Sequence, residues 1–265
     1  MTIKLIKTAW GLALIIFLLA VASCKMKKKP MDQTEQISMS DSSNAELFAP
    51  DSTRKSIKGN ASFKEIITQP NAVVLTGTSD YRLVSIYKIN ESPSSNTQSE
   101  YYSDDEDQNE KQKQFMPGID ILYGYYLLNV GHYGIKTGKL SYLCDRPVLI
   151  KTLYYPSFEQ DSLDKKPINR DYYMVSVFDE DSNKDGFINN KDLRRLYYVN
   201  SDNTTKIQLI PPDYSVIRSQ YDSQNDAMYV FASKDENKDG SRNKKEPIHI
   251  FWIDLKNPVV SKALY

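Results

Sequence analysis

Two acidic stretches carry residue types at a spacing that could do chemistry. Asp181-Ser-Asn183-Lys-Asp185-Gly186 and Asp235-Glu-Asn237-Lys-Asp239-Gly240 share the pattern D-x-N-x-D-G, and each has a carboxylate at its twelfth position, Asp192 or Glu246. Each stretch therefore gathers three carboxylates, enough to hold one divalent cation. A hard cation takes about six to eight oxygen ligands, and alternating residues on one tight turn supply them from a short length of chain. Glycine at the sixth position permits the positive φ that such a bend needs. The plain alternative is a pair of polar β-turns, because Asp, Asn and Gly dominate turns for reasons unrelated to metal. Two separate loops that keep the same pattern weigh against that alternative.

Both stretches resemble the calcium loop of EF-hand proteins. The resemblance implies that Asp181, Asn183 and Asp185 donate side-chain oxygens, Phe187 donates its carbonyl, Asn189 acts through water and Asp192 closes the first site. In the second loop Asp235, Asn237, Asp239, Ser241, Asn243 and Glu246 hold the corresponding positions. Calcium at two sites is the implied cofactor, with affinity at the weak extracellular end, on the order of 10⁻⁴ to 10⁻³ M. Three departures qualify the resemblance. Asp192 replaces the usual Glu, as in dockerin-like loops; Arg242 stands where an aliphatic residue normally pairs two loops; and Pro247 denies an exit helix its start. Both loops follow strand-like runs, so they are expected at strand-to-strand connections, stiffening hairpins. A calcium-regulated interaction switch is a further alternative.

The elements that must position these loops form an internal repeat at an offset of 54 residues. Met174–Phe178 lies over Met228–Ala232, the two acidic loops over each other, and Leu196–Asn200 over Ile250–Asp254. A preceding strand, Val148–Tyr155 or Ser215–Tyr221, and a following one, Lys206–Leu209 or Val259–Leu264, complete each copy. An earlier, diverged unit contains Ala72–Thr76, Arg82–Ile89, Ile121–Val130 and the hairpin Leu127–Gly138 followed by Lys139–Leu143. All are runs of strand length, and long helical periodicity is scarce, with at most one helical turn near Asn190–Arg194. The hairpin resembles the outer hairpin of a β-propeller blade. The expectation is an all-β, propeller-like repeat of about three four-stranded antiparallel units, fewer than the four to eight blades that usually close a ring. Adjacent tyrosines at 154–155, 172–173 and 197–198 put one ring on each face of a strand, which suits a sheet packed on both sides or an aromatic platform for glycan or peptide.

The chain has 265 residues with 34 basic and 34 acidic side chains, so its charge offers no pull toward nucleic acid. Residues 1–23 read as a signal peptide: Lys4 and Lys7, an apolar run from Trp10 to Ala22, then Val21-Ala22-Ser23-Cys24. The run is short for a membrane span. Small residues directly before a cysteine resemble the lipobox of bacterial lipoproteins, which implies cleavage before Cys24 and acylation of Cys24. The mature chain then keeps 32 basic against 34 acidic residues, a net −2. Lys25, Lys27, Lys28 and Lys29 suit anionic headgroups beside the anchor. The resemblance implies export to the outer membrane, facing the periplasm, with surface exposure left open. Residues 24–60 are expected as a lipidated tether, 61–265 as the β domain, and about 90–116 as a polar, acidic insertion. Cys144, the remaining thiol, is expected to be buried and inert.

No G-x-S-x-G, H-E-x-x-H, P-loop or G-x-G-x-x-G string occurs, and His132 and His249 both sit inside strand patterns. These features point to a membrane-anchored, calcium-binding, non-enzymatic binding or scaffold lipoprotein of the bacterial envelope, with an envelope protein or glycan as partner. The alternative is a polysaccharide- or peptide-active enzyme with scattered catalytic carboxylates, recognisable by two facing acids in a pocket away from the loops.

Overall fold

A computed structural model describes residues 56–62, 64–88 and 116–265; the side chains of Tyr125 and Tyr126 lie outside that description. The signal segment, Cys24 and most of the acidic insertion fall on other residues. The described chain is all β, in sixteen strands. The first eight are β1 (Ile57–Lys58), β2 (Thr68–Leu75), β3 (Tyr81–Lys88), β4 (Ile119–Gly134), β5 (Leu140–Tyr142), β6 (Leu149–Pro156), β7 (Asp161–Leu163) and β8 (Lys166–Ile168). Then come β9 (Tyr172–Phe178), β10 (Phe187–Ile188), β11 (Arg195–Asn200), β12 (Lys206–Gln208), β13 (Tyr214–Asp222), β14 (Ala227–Lys234), β15 (Ile248–Asp254) and β16 (Ser261–Ala263).

Every pairing is antiparallel. One sheet of eight strands runs β12-β11-β9-β6-β4-β3-β2 with β5 beside β4, and a second of four runs β13-β14-β15-β16. The two repeat copies are thus the meanders β6-β9-β11-β12 and β13-β14-β15-β16. The earlier unit does not stand apart: β4 pairs with β6 from Ile119↔Pro156 to Leu127↔Ile150, which fuses it to the first copy. Its sixteen residues let one half of β4 pair with β6 while the other half pairs with β5, from Gly131↔Tyr142 to Tyr133↔Leu140. Near Asn190 the chain makes a hydrogen-bonded turn, Asp192 N–H to Asn189 carbonyl at 3.3 Å, and no helix.

Alternation along the strands sorts the core into separate clusters. Leu83, Leu127, Val130, Leu153, Val175 and Val199, from five strands of the large sheet, share one apolar cluster with Leu143, Cys144 and Val148. The opposite face of β6, β9 and β11 presents Tyr154, Met174 and Leu196 to Val216, Met228, Phe251 and Ile253 of the small sheet. The tyrosine pairs divide as their spacing predicts: Tyr154, Tyr172 and Tyr198 join the inter-sheet cluster, whereas Tyr155, Tyr173 and Tyr197 join the other. Burial pushes the Cys144 thiol up to about 11, which keeps it protonated.

A buried ion pair ties the layers together. Arg170, between β8 and β9, meets Asp226, between β13 and β14, at 2.7 Å, with both side chains almost fully buried. The same guanidinium donates to the carbonyls of Pro117 and Leu255.

His132 of β4 closes the curl of the large sheet: its Nε2 lies 2.8 Å from the Ser201 carbonyl and so carries the proton, and its ring stacks on Tyr81 at 4.4 Å. Burial holds its pKa below the ordinary 6.5. The unfolded chain therefore binds a proton that the folded chain resists, and stability falls as pH drops below 6.5 toward the lowered folded value. A His132→Gln chain, which keeps a donor, should lose that part of the acid-induced fall in melting temperature between pH 7 and 5; an unchanged pH slope would remove His132 from the account.

Candidate metal centre

The first loop leaves β9 and returns through β10 to β11; the second joins β14 to β15. Their hydrogen bonds correspond at positions one, three, five, nine and twelve. Asp181 accepts from Asp185 N–H at 3.0 Å and from Gly186 N–H at 2.8 Å; Asp235 accepts from Asp239 N–H at 3.2 Å and from Gly240 N–H at 3.0 Å. Asn183 and Asn237 each accept from the backbone two residues on, as do Asp185 and Asp239, Asn189 and Asn243. The position-twelve acids close the correspondence, Asp192 Oδ2 on Asn189 N–H at 2.8 Å and Glu246 Oε2 on Asn243 N–H at 3.0 Å. Backbone dihedrals repeat as well, with Lys184 and Lys238 at φ 61° and 56°, and Gly186 and Gly240 at 91° and 71°. Successive Asx turns of this kind fix side-chain oxygens along the inside of a bend before any ion arrives.

The two loops differ in their closing acids. Asp192 is fully buried, and its Oδ1 accepts from the backbone of Ser182 and Asn183 and from the Ser182 hydroxyl. Burial pushes its carboxyl above the usual range, and those hydrogen bonds pull against the rise. Glu246 reaches further: Oε2 also takes the Ser233 hydroxyl at 3.3 Å, while Oε1 is shielded from solvent and has no hydrogen-bond partner. Asp181, Asn183 and Ser241 are half-buried; Asp185, Phe187, Asn237, Asp239 and Asn243 are exposed; Asn189 and Asp235 are buried. No group of three His, Cys, Asp or Glu side chains converges on one point among the described residues. A full ligand set would have to draw on the asparagine and backbone oxygens as well.

The loops also touch each other, in a way the sequence does not suggest. Ser182 donates its hydroxyl to the Gly240 carbonyl at 2.6 Å, Asp192 bridges Ser241, and Arg242 N–H meets the Lys191 carbonyl at 3.0 Å. Ile188 and Arg242, the residues at position eight, do not pair with one another. Ile188 pairs instead with Ile57 of β1, and Phe187 with Lys58. Residues 57–60, read from sequence as tether, are therefore part of the fold. Gly59 donates to the Gly186 carbonyl and lies so close that a Cβ there would sit 2.7 Å from Cβ of Asp181.

No family, no curated protein and no solved structure matches this chain.

Of two hollows elsewhere on the surface, one is lined by Tyr154, Ser176, Arg194 and Val216 between the sheets, and the other by Gly118, Glu159, Asn169 and Arg170. Neither presents two facing carboxylates. His249 sits at loop 2's exit strand with Nδ1 2.7 Å from the Tyr214 hydroxyl, an aromatic pair extended by Phe251.

Proposed function

We propose that the protein is a calcium-braced binding or scaffold lipoprotein, held to a bacterial membrane through acylated Cys24, with two blade-like meanders whose strand connections each take one calcium ion. The observation that carries the metal reading is the repetition of the loop hydrogen bonds at positions one, three, five, nine and twelve, joined by the shielded, partnerless Oε1 of Glu246. A desolvated carboxylate oxygen without a partner is destabilising, and a dication beside Glu246 would offset that cost; Asp179 Oδ1, two residues before the first loop, is shielded and partnerless as well. The residues fit calcium by type, all hard oxygens, and by spacing.

Bound calcium would supply charge neutralisation for the acids of each loop. The rest is done by the chain. Asp181 and Asp235 hold the bend from inside, Gly186 and Gly240 turn it, and the position-twelve acids tie the end of each loop back to its ninth residue. Because the loops contact each other and loop 1 carries β1, filling them would stiffen the junction of both sheets with the N-terminal strand. The lipid part of the proposal rests on the sequence before Cys24.

Titration of calcium into the protein by calorimetry, with Asp181→Ala and Asp235→Ala chains beside it, tests the reading. Two sites are expected, each lost with its own substitution, and a stabilisation of about 1.4 kcal/mol at ten times Kd, from RT ln(1 + [L]/Kd). Absence of both heat and thermal shift at millimolar calcium would reduce the loops to turns.

A further inference from the structure

One face of the large sheet is only partly covered. Where β6, β9 and β11 run, the small sheet lies over it, and β1 covers Leu128, Leu149 and Phe178 through Ile57. At the β2–β5 end no described residue packs over the same face. Val73, Val84, Gly131 and Tyr142 lie opposite one another across β2, β3, β4 and β5, and Leu75, Arg82, Tyr133 and Leu140 form the next row. These positions alternate with Leu83 and Val130, which are buried on the other face. Val73 is 65% exposed, Leu75 46%, Leu140 50% and Tyr142 43%, with Ile135 in the turn beyond. Gly131 makes the surface continuous, since Leu140 lies over it. Five exposed aliphatic and aromatic side chains, Val73, Leu75, Tyr133, Leu140 and Tyr142, in two neighbouring rows at an edge of a sheet mark a partner site rather than ordinary surface.

Chemistry and position both select the partner. Among the described residues of these strands and turns the rim is cationic: Arg82 lies within the second row, and Lys136 and Lys139 occupy the β4–β5 turn, with Asp80 paired to Lys136 at 2.8 Å. Tyrosines beside aliphatic side chains, edged by Lys and Arg, suit the boundary between acyl chains and headgroups, where the ring is buried and the hydroxyl stays wet. Positive charge at that depth meets anionic headgroups. The chain also joins the fold on this face, because Ile57 docks against Leu149 and Phe178. Cys24 lies 33 residues earlier, a reach of at most about 120 Å. We propose that the exposed β2–β5 face rests on the anionic phospholipid surface to which Cys24 holds the chain. This inference rests on the anchoring reading and gives the domain a fixed side toward the membrane.

The test uses the full acylated chain in vesicles of phosphatidylethanolamine and phosphatidylglycerol. A fluorophore is placed through Leu140→Cys or, as a control in the β13–β14 turn, Gln224→Cys; the thiol of Cys144 is buried. Doxyl-labelled lipid should quench the Leu140→Cys probe several-fold more than the control. Adding Leu75→Asp, an exposed position that leaves the core intact, should release that quenching while the chain stays on the vesicles. A vesicle-bound chain whose two probes respond alike to doxyl lipid and to aqueous iodide overturns the proposal. So does a dimer in sedimentation that Leu75→Asp dissociates, which would assign the face to a second copy. Failure of the anchor reads separately, as no acyl mass on Cys24: quenching that persists without it keeps the docking and removes the anchor, and loss of both overturns both.

Discussion

A Gly240→Ala chain is expected to melt roughly 4–8 °C below a Gly186→Ala chain, although both replace the sixth residue of equivalent loops. Both glycines have positive φ, 91° at Gly186 and 71° at Gly240, so each substitution adds left-handed strain of about 1–2 kcal/mol. They differ in what the new methyl meets. At Gly186 nothing lies within 4 Å, whereas at Gly240 the Cβ would come 1.9 Å from the Ser182 carbonyl oxygen and 2.4 Å from its carbon. Backbone cannot yield as a side-chain tip can, so the two loops must part. Parting them breaks the Ser182 to Gly240 hydrogen bond and the Arg242 to Lys191 hydrogen bond that forms the Asp192–Ser241 bridge, about 1 kcal/mol each. For a domain of this size each kcal/mol moves the melting temperature by about 2–4 °C. Scanning calorimetry in excess chelator isolates this term from calcium, and equal melting temperatures for the two variants would show that the loop contact carries no stability.

Replacing Asp226 by Asn is expected to destabilise the fold by about 3–5 kcal/mol, because it leaves the Arg170 charge buried without its counter-charge. The substitution is nearly isosteric, and Asn tolerates the φ of 53° that Asp226 adopts, so the loss reports charge rather than shape. Arg170 would keep the Pro117 and Leu255 carbonyls, which cannot neutralise it. A double Arg170→Met, Asp226→Asn chain should recover part of the loss, since removing both partners is far less damaging than removing one. Denaturant unfolding checks both; a single substitution costing under about 1 kcal/mol would place the pair among surface-like bridges.

Neither effect is visible in the amino-acid sequence. Arg170 and Asp226 are 56 residues apart with no pattern linking them, and the offset of 54 declares the two acidic loops alike without saying that they touch. What the sequence does carry is local. Alternation placed β9 at Tyr172–Phe178 and most other long strands within a residue or two at most ends, because one buried face imposes the period of two. Strands of two or three residues, β1, β7, β8 and β10, are too short to show a period. The loops were legible down to their turning glycines, since D-x-N-x-D-G encodes its own hydrogen bonds. The fusion of the earlier unit to the first repeat copy is not, because β4, paired with β3 along one edge, serves both β5 and β6 along the other by length alone, and length does not say which partner each half will choose.

The pairing of Ile57 with Ile188 also sets an order in time. Ile57 is the earliest core residue of the described chain to be made, yet its neighbours Leu128, Leu149, Phe178 and Ile188 come 71 to 131 positions later. Ile57 and Lys58 must therefore wait for their strand partners until nearly two thirds of the described domain has emerged, and the first-made strand of the described chain is seated only as the first acidic loop forms.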